Sequence, residues 1–375
     1  MIKKYFITFC SISKDNKEDL LSPVPADLKS KYVISRLGNG THVISLSSSK
    51  RFGFGKRTKN DNTTFRSLLS FGTNSKICKF LDKIIRKIYL FFFATFIMQK
   101  DDKLLIYHSY LYTKYLSKVL RSKRNNAVLE VEEIYGFNAV EDKPYLKDEI
   151  YFIKSFPKFV FVNDYIPFEL GINRLSYVVS YGVINKCSSP KRIGKDENHV
   201  VHILYAGTIE EKKRGAFYAA WAAKYLPGKY LLHIAGFGKQ DSINKLLNII
   251  KINNDENECK IVFHGMLTGS DLDNLMDMCD IGLSPNVMRP NFANNTFPSK
   301  TITYMLHNLR IVSGFAEAFS KCKICNDWIY YYTQEPQAIA DAIKSVPLNN
   351  SVDNSALLNE IDNELISFFK TEHFI

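Results

Sequence analysis

The sequence predicts an α/β protein built from two doubly wound domains, and three observations lead to this prediction. A chain of 375 residues is too long for one typical hydrophobic core and about right for two. Short apolar, β-rich runs alternate with helical patterns, as is typical of a parallel sheet covered by helices on both faces. A polar stretch with a proline, 187–199, interrupts the alternation, which then restarts.

The half before this interruption carries a series of buried-strand candidates separated by helical segments. The predicted strands are 5–12, 41–47, 104–107, 127–131 and 159–162, and the first predicted helix is 26–37. Residues 1–187 are therefore expected to form an N-terminal domain, and 188–199 an interdomain linker.

The second half repeats the pattern more regularly. Five apolar runs, HILYAG, YLLHIAG, KIVFHG, DIGLSP and RIVSG, each end in or beside glycine or proline and are separated by helical segments. Residues 200–350 are expected to form the C-terminal domain. Apolar residues at helical spacing over 357–369 predict that 351–375 is a helix returning to the N-terminal domain. Two such domains bind ligands at the carboxyl ends of their strands, so we expect a site facing a shared cleft.

The charge of the chain is divided unevenly between the halves. Residues 1–195 carry 34 Lys and Arg against 17 Asp and Glu, whereas the remainder carries 16 against 21. A basic surface attracts nucleic acid, anionic lipid or phosphorylated substrates, and the sign alone does not choose among them. Without a recognisable nucleic-acid module or base-stacking motif, no nucleic acid is expected as a partner, and a basic nucleic-acid-binding protein is kept as the alternative from another class.

One segment of the basic half has two faces of different character. Lys79, Lys83, Arg86 and Lys87 fall on one arc of a predicted helix, and Phe80, Leu81, Ile84, Ile85, Ile88 and Phe91 fall opposite. Such a helix either covers the core with its basic face in solvent or lies on anionic lipid. The longest lipid-like run, 89–98, is about half as long as a spanning helix, so the protein is expected to be cytoplasmic and not integral to a membrane.

Glycine-rich strand exits are the first candidate ligand positions of the second half. Gly207 and Thr208 end one strand, with Arg214 at the start of the next helix, where backbone N–H groups and a basic side chain can meet an anion. Gly236 and Gly238 end another strand, but Asp241 replaces the third glycine of a dinucleotide fingerprint. A tight turn beside a solvated charge run is the alternative interpretation of the first exit.

The segment Phe297-Pro298-Ser299-Lys300 is the more specific signal. Proline at a helix start costs no hydrogen bond, and the Ser299 hydroxyl and the Lys300 ammonium would meet one anion beside the first turn.

The order YAG…RG, HIAGFG, FHG, DIGLSP, FPSK…YML and RIVSG over 201–314 resembles the C-terminal domain of GT-B glycosyltransferases. More narrowly, it is similar to family-four-like enzymes of bacterial surface polysaccharide assembly. The resemblance implies two Rossmann-like domains and donor-binding positions at Gly207, Thr208, Arg214, Gly236, Gly238, Met266, Leu267, Asn295, Phe297, Ser299, Lys300 and Thr303.

The implied roles of these positions differ. Met266 and Leu267 would lie near the nucleotide base, Thr208, Arg214, Ser299 and Lys300 would hold the diphosphate, and 294–297 would meet the donor sugar. Many family members carry two glutamates eight residues apart where this chain has Asn295 and Thr303, and an arginine where it has Thr208.

Glycosyl transfer also needs a group that accepts the acceptor proton if the enzyme inverts configuration. His108 and Glu133 each follow a predicted strand of the first half and are the predicted catalytic residues. A hydrogen-bonded loop histidine and a solvated turn are the alternative interpretations.

The sequence thus predicts an enzyme that moves a sugar from a nucleotide diphosphate sugar, UDP-linked, to a lipid-diphosphate-linked oligosaccharide in bacterial capsule, O-antigen or exopolysaccharide synthesis. No cofactor and no metal are expected. The expected partners are the nucleotide-sugar donor, the lipid-linked glycan acceptor and an anionic membrane, which the basic N-terminal domain would contact at the inner face of the cytoplasmic membrane. A nucleotide-sugar epimerase on the same fold is the alternative within enzymes.

Overall fold

The structure, a computed structural model, forms two compact units. It describes residues 2–11, 20–21, 24–60, 63–138, 144–185, 188, 200–211, 214–285 and 294–375. The first unit contains Met1–Val183 and Ile361–Ile375, and the second contains Ile184–Glu360. Apart from Ser188, the predicted linker 188–199 lies outside the described residues.

The first unit is built on an eight-stranded sheet with the order β10-β9-β8-β7-β1-β3-β6-β5. Its strands are β1 Lys4–Thr8, β3 Thr41–Ser45, β5 Arg57–Asn60, β6 Thr63–Ser67, β7 Lys103–Tyr107, β8 Ala127–Val131, β9 Lys158–Phe161 and β10 Tyr177–Val179; β2 Leu20–Leu21 and β4 Ser48–Ser49 form a separate pair. All neighbours in the large sheet are parallel except β5 and β6. The central strands are buried, as their continuous apolar sequences predict.

Helices connect these strands. The helical elements of the first unit are α1 Val24–Arg36, α2 Lys76–Phe92 with a π-helical end at Phe93–Ile97, α3 Tyr110–Val119, a 3₁₀ segment at Arg121–Asn126, α4 Tyr135–Asn138, α5 Pro144–Lys154, α6 Tyr165–Glu169 and a 3₁₀ turn at Arg174–Ser176. The sequence analysis did not predict the edge strand β5 and its neighbour β6, because both are polar and lack the apolar run of a buried strand.

The second unit is a six-stranded, fully parallel sheet with the order β13-β12-β11-β14-β15-β16. Its strands are β11 Val201–Ile209, β12 Tyr230–Gly238, β13 Lys260–Gly265, β14 Ile281–Ser284, β15 Arg310–Gly314 and β16 Ile329–Tyr331. The first five match the five predicted apolar runs. The direction of chain progression across the sheet reverses between β11 and β14, which makes this pair the topological switch point.

Seven α-helices of the described chain follow β11 along the sequence. They are α7 Gly215–Ala223, α8 Gln240–Glu256, α9 Ser270–Met278, α10 Lys300–Leu306, α11 Glu317–Ser320, α12 Pro336–Lys344 and α13 Ser355–Thr371. Helix α7, with the sequence GAFYAAWAA, is buried over most of its surface, because its small residues allow it to lie close to the sheet. Among the described helices, none is both long enough and apolar enough to cross a membrane.

The end of the chain returns to the first unit. Asp362, near the middle of α13, accepts hydrogen bonds from Tyr32 Oη at 2.7 Å and Arg36 Nε at 2.8 Å. The carbonyl of Phe374 accepts from the Gly38 N–H at 3.0 Å, and Phe369 and Phe374 are fully buried. The predicted final helix therefore packs on α1 and the turn that follows α1.

Candidate functional site

The carboxyl end of β11, at the switch point, holds an ammonium group. Lys300 is the first residue of α10, and its Nζ lies 4.4 Å from the centroid of the Tyr205 ring. The same Nζ lies 3.6 Å from the position that a Cβ on Gly207 would occupy. Lys300 and Gly207, predicted separately from two motifs, are thus brought together at the edge where ligands bind in such sheets.

The buried ring of Tyr205 packs against the Lys300 ammonium. Its ring is 3% exposed, its Oη donates a hydrogen bond to the Thr208 carbonyl at 2.9 Å, and burial raises the pKa of its phenol above the usual range. The neutral ring offers its face to the Lys300 ammonium, a cation–π contact. A Cβ on Gly215 would lie 2.8 Å from Tyr205 Oη, so the glycine that opens α7 leaves the space this phenol needs.

Tyr304 fixes α10 against the two switch-point strands. Its Oη accepts a hydrogen bond from the Ala206 N–H of β11 at 2.8 Å and lies 3.4 Å from the Leu283 carbonyl of β14. A Cβ on Gly282 would lie 2.4 Å from the Tyr304 ring, so the glycine of DIGLSP makes room for it. Sequence reasoning missed both Tyr205 and Tyr304, whose only signal was their membership of the YAG and YML segments.

Tyr304→Phe is expected to destabilise the second unit by about 1 kcal/mol, because the variant leaves the half-buried Ala206 N–H without its hydroxyl acceptor. Urea unfolding of the variant and the wild type measures the difference. An unchanged unfolding free energy would show that the hydroxyl does not hold α10 to β11.

Gly236 and Gly238 must be glycines for a structural reason, the close approach of β11. A Cβ on Gly236 would lie 1.9 Å from the Gly207 carbonyl oxygen, and one on Gly238 would lie 2.2 Å from the Ile209 carbonyl oxygen. These glycines therefore let β12 approach β11 closely at its carboxyl end. Contact of their backbone with a ligand stays a prediction.

Arg214 and the loop after β13 flank the strand ends. Arg214 is exposed at the start of α7 in a left-handed conformation, φ 53°, and its Nε donates to the Glu211 carbonyl at 3.2 Å. Gly265 turns the chain at φ 67°, after which Met266 is 65% exposed and Leu267 is half-buried. Both regions leave side chains accessible for a ligand.

The predicted donor-binding residues in and around the start of α10 differ in how exposed they are. Phe297 is buried, with ring centroids 6.2 Å from Phe319 and 5.9 Å from Trp328, so its ring belongs to an aromatic cluster. Asn295 is also buried, Thr303 is half-buried and Ser299 is exposed. Lys300 and Ser299 are therefore the better placed of the predicted contacts, whereas the Phe297 side chain is occupied in packing.

His108 holds a loop of the first unit. Its ring is 2% exposed, with Nε2 2.9 Å from Glu149 Oε1 and Nδ1 3.1 Å from Thr113 Oγ1. Glu149 also accepts the N–H groups of Tyr135 and Gly136 at 3.0 and 2.7 Å. This is the arrangement of a positioning histidine. Glu133, the other predicted catalytic residue, is half-buried after β8.

Two further carboxyl groups, those of Glu130 and Glu132, lie beside Glu133 at the end of β8. Glu130 is fully buried, and neither of its carboxyl oxygens has a hydrogen-bond partner among the described residues. Glu132 Oε1 lies 3.5 Å from the ammonium of the buried Lys29, which donates to the Ser180 carbonyl at 2.5 Å. Burial, and then the neighbouring Glu132 carboxylate, raise the pKa of Glu130 above its ordinary value of 4.5, and Lys29 opposes the shift.

The raised pKa of Glu130 predicts a pH-dependent stability. Above pH 4.5 the unfolded chain releases a proton that folded Glu130 retains, so the free energy of unfolding falls as pH rises through this range. Glu130→Gln removes this loss, and the variant should gain stability relative to the wild type as pH increases. Chemical unfolding from pH 5 upward, with Glu169→Gln at an exposed position of α6 as control, measures the trend. A difference in unfolding free energy between Glu130→Gln and the wild type that stays constant across pH would contradict this prediction.

Comparison with known proteins places the fold. No protein-family model matches the chain, and no curated protein matches its sequence. Among solved structures, α,α-trehalose 6-phosphate synthase from Burkholderia multivorans aligns at a TM-score of 0.62 and 10% identity, covering 99% of this chain and 95% of its own. An E. coli trehalose-6-phosphate protein bound with UDP-2-fluoro glucose aligns at 0.61 and 11%, covering 99% and 97%. A UDP-forming synthase from Burkholderia xenovorans in complex with glucose-6-phosphate aligns at 0.61 and 10%, covering 99% and 97%.

These similarities extend over essentially the whole length of both chains. The protein therefore has the GT-B fold, with two Rossmann-like α/β units, as the sequence resemblance implies. Within the described ranges, no three His, Cys, Asp or Glu side chains group as metal ligands would.

Proposed function

We propose that the protein is a glycosyltransferase that binds a nucleotide diphosphate sugar, UDP-linked, in its second unit. The observation that carries this proposal is the Lys300 ammonium beside Gly207 at the switch point. Ligands of open α/β sheets bind at this place. Breaking the bond between the sugar and the diphosphate leaves one additional negative charge on the departing diphosphate, which a fixed cation stabilises. That a solved structure of the same fold is bound with UDP-2-fluoro glucose supports the assignment.

The chemistry divides among the residues at the strand ends. Lys300 neutralises the diphosphate, and the Tyr205 ring positions the Lys300 ammonium through their cation–π contact. Gly207 has no side chain to block approach of a phosphate to the backbone of β11. Arg214, exposed at the start of α7, supplies a second cation. Ser299 donates its hydroxyl to the same anion, and Met266 and Leu267 border the base.

We propose a lipid-diphosphate-linked oligosaccharide as acceptor, in the synthesis of a bacterial capsule, O-antigen or exopolysaccharide. Support comes from the charge of residues 1–195, 34 Lys and Arg against 17 Asp and Glu, which suits an anionic acceptor. Of the two predicted catalytic residues, the half-buried Glu133 is the better candidate to accept the acceptor proton, and His108 acts through the loop that it and Glu149 hold.

A panel of nucleotide sugars tests the proposal. Thermal unfolding with UDP-, GDP- and ADP-linked sugars should show an increase in Tm with at least one UDP-sugar, because ligands that bind only the folded state stabilise it. With a lipid-diphosphate acceptor, free UDP should then appear together with an elongated lipid. Interconversion of the donor sugar without an acceptor and without UDP release would instead identify an epimerase.

A further inference from the structure

Helix α2 and its π-helical end expose apolar side chains along one side. Ile77 is 71% exposed, Phe80 61%, Ile88 50% and Phe96 66%. Their successive spacings of three and eight residues keep them on one side of a helix. We call the following exposed side chains the apolar stripe: Ile77, Phe80, Ile84, Ile88, Phe91, Phe92, Phe96 and Ile97.

The buried side of α2 carries the charges. Arg86 and Asp82 are 1% and 2% exposed and form an ion pair of 3.1 Å. Arg86 also donates to the carbonyls of Leu46 and Ser47 at 2.6 and 3.0 Å, and Asp82 accepts from the Ser70 hydroxyl at 2.7 Å. Rotating α2 to hide the stripe would break the hydrogen bonds that Arg86 and Asp82 make outside the helix and leave these buried charged groups without those partners, which is strongly unfavourable. The apolar stripe therefore faces outward as a fixed feature.

These contacts contradict one of the two sequence interpretations of this helix, that of a core helix with a solvated basic face. Arg86 was assigned to the solvated arc but is buried. Phe80, Ile84, Ile88 and Phe91 were assigned to the core and are exposed.

A second exposed apolar element, the loop around Phe52 and Phe54, is linked through Ser70 to the buried Asp82 of α2. In the loop 50–57, Phe52 is 56% and Phe54 77% exposed, and their rings stack edge to face at 5.2 Å. Gly53 between them exchanges both backbone hydrogen bonds with Ser70, at 2.9 and 3.0 Å, and Ser70 bonds to Asp82 of α2. The loop therefore lies beside the N-terminal half of α2.

Basic residues dominate the charges around both elements. The exposed basic residues beside the stripe and in the loop are Lys50, Arg51, Lys56, Arg57, Lys76, Lys79, Lys83 and Lys100. Between residues 63 and 100 the sequence has a single acidic residue, Asp82, and it is buried against Arg86. Two copies of this surface would bring like charges together, whereas anionic lipid headgroups would neutralise them.

We infer that the apolar stripe and the Phe52–Phe54 loop insert into the interfacial region of a bilayer that contains anionic lipids. The aromatic side chains enter the boundary between headgroups and acyl chains, and the flanking lysines and arginines contact lipid phosphates. As a route to a lipid-linked acceptor, this inference rests on the proposed function. The contact with lipid itself follows from the surface and needs no nucleotide.

Sedimentation with vesicles of phosphatidylcholine alone, or with added phosphatidylglycerol, tests the inference. Wild-type protein should bind the anionic vesicles, and Phe80→Asp with Ile88→Asp should lower the partition coefficient more than about tenfold, since two large apolar contacts are lost. The matched control places the same change at two exposed apolar positions elsewhere in the unit, Tyr151→Asp with Leu175→Asp, which are 78% and 84% exposed, and should bind like the wild type. Circular dichroism checks that both variants fold.

Equal vesicle binding by the two double variants, or no binding by the wild type, would overturn the inference. So would a wild-type dimer in sedimentation equilibrium that Phe80→Asp with Ile88→Asp dissociates, because the stripe would then join two copies. UDP binding by the Phe80→Asp, Ile88→Asp variant should equal that of the wild type. Loss of lipid binding with retained UDP binding separates this surface from the donor site.

Discussion

Lys300→Met is expected to weaken UDP binding about 10- to 100-fold, the loss that follows from removing a charged hydrogen-bond partner. Methionine keeps an unbranched stem over the Tyr205 ring, from which Lys300 Nζ lies 4.4 Å, and removes only the ammonium. The lost affinity therefore reports the charge and not the packing. Isothermal titration calorimetry with UDP and with uridine checks this interpretation. The variant should bind UDP more weakly than the wild type and should bind uridine, which has no diphosphate, equally well.

Lys251→Ala is the matched control for this variant. Lys251 is an exposed lysine on α8 of the same unit, so its removal changes net charge equally without touching the end of β11. UDP affinity should stay at the wild-type value. If Lys300→Met and Lys251→Ala bind UDP equally well, Lys300 does not hold the diphosphate.

Gly236→Ala is expected to destabilise the second unit by about 3 kcal/mol or more, at the upper end of what overpacking costs. The new methyl group would lie 1.9 Å from the Gly207 carbonyl oxygen, so β11 and β12 must separate at their carboxyl ends. Urea unfolding measures the loss. Because Gly207 lies beside Lys300 Nζ, the folded fraction of the variant should also bind UDP more weakly.

Gly228→Ala separates this clash from the general effect of replacing a glycine. A Cβ on Gly228, which precedes β12, would have its nearest contact at 3.6 Å, with Glu258, an ordinary van der Waals distance. This variant should unfold within about 1 kcal/mol of the wild type. Similar losses for both variants would show that strand approach at Gly236 is not the cause.

The sequence predicts the second unit well, and the reason is physical. Each of its first five strands is an almost continuous apolar run, as burial on both faces of a parallel sheet requires, and glycine or proline marks where it ends. The polar strands β5 and β6 carry no such signal. Their pairing along the edge of the sheet depends on β3 beside them.

Sequence patterns predict only part of the candidate site. The FPSK segment identifies Lys300, but the contacts that position Lys300 and α10 are made with distant segments. Tyr205 of β11 packs against Lys300 because Gly215 leaves it space, and Tyr304 of α10 reaches β11 and β14 because Gly282 leaves it space. Both relations appear only when the strands are assembled. Periodicity likewise gives α2 two faces without deciding which is buried. That choice is made by Arg86, through the carbonyls of Leu46 and Ser47 some forty residues away.

Hydrogen–deuterium exchange with and without UDP tests the donor-site assignment most directly. The N–H groups of 205–208, at the end of β11, and of 299–303, at the start of α10, should exchange more slowly when UDP is bound, and the loop after Gly265 should follow. UDP binding that slows exchange only in the first unit, or saturating UDP that leaves both of these segments unprotected, would contradict a donor site built around Lys300.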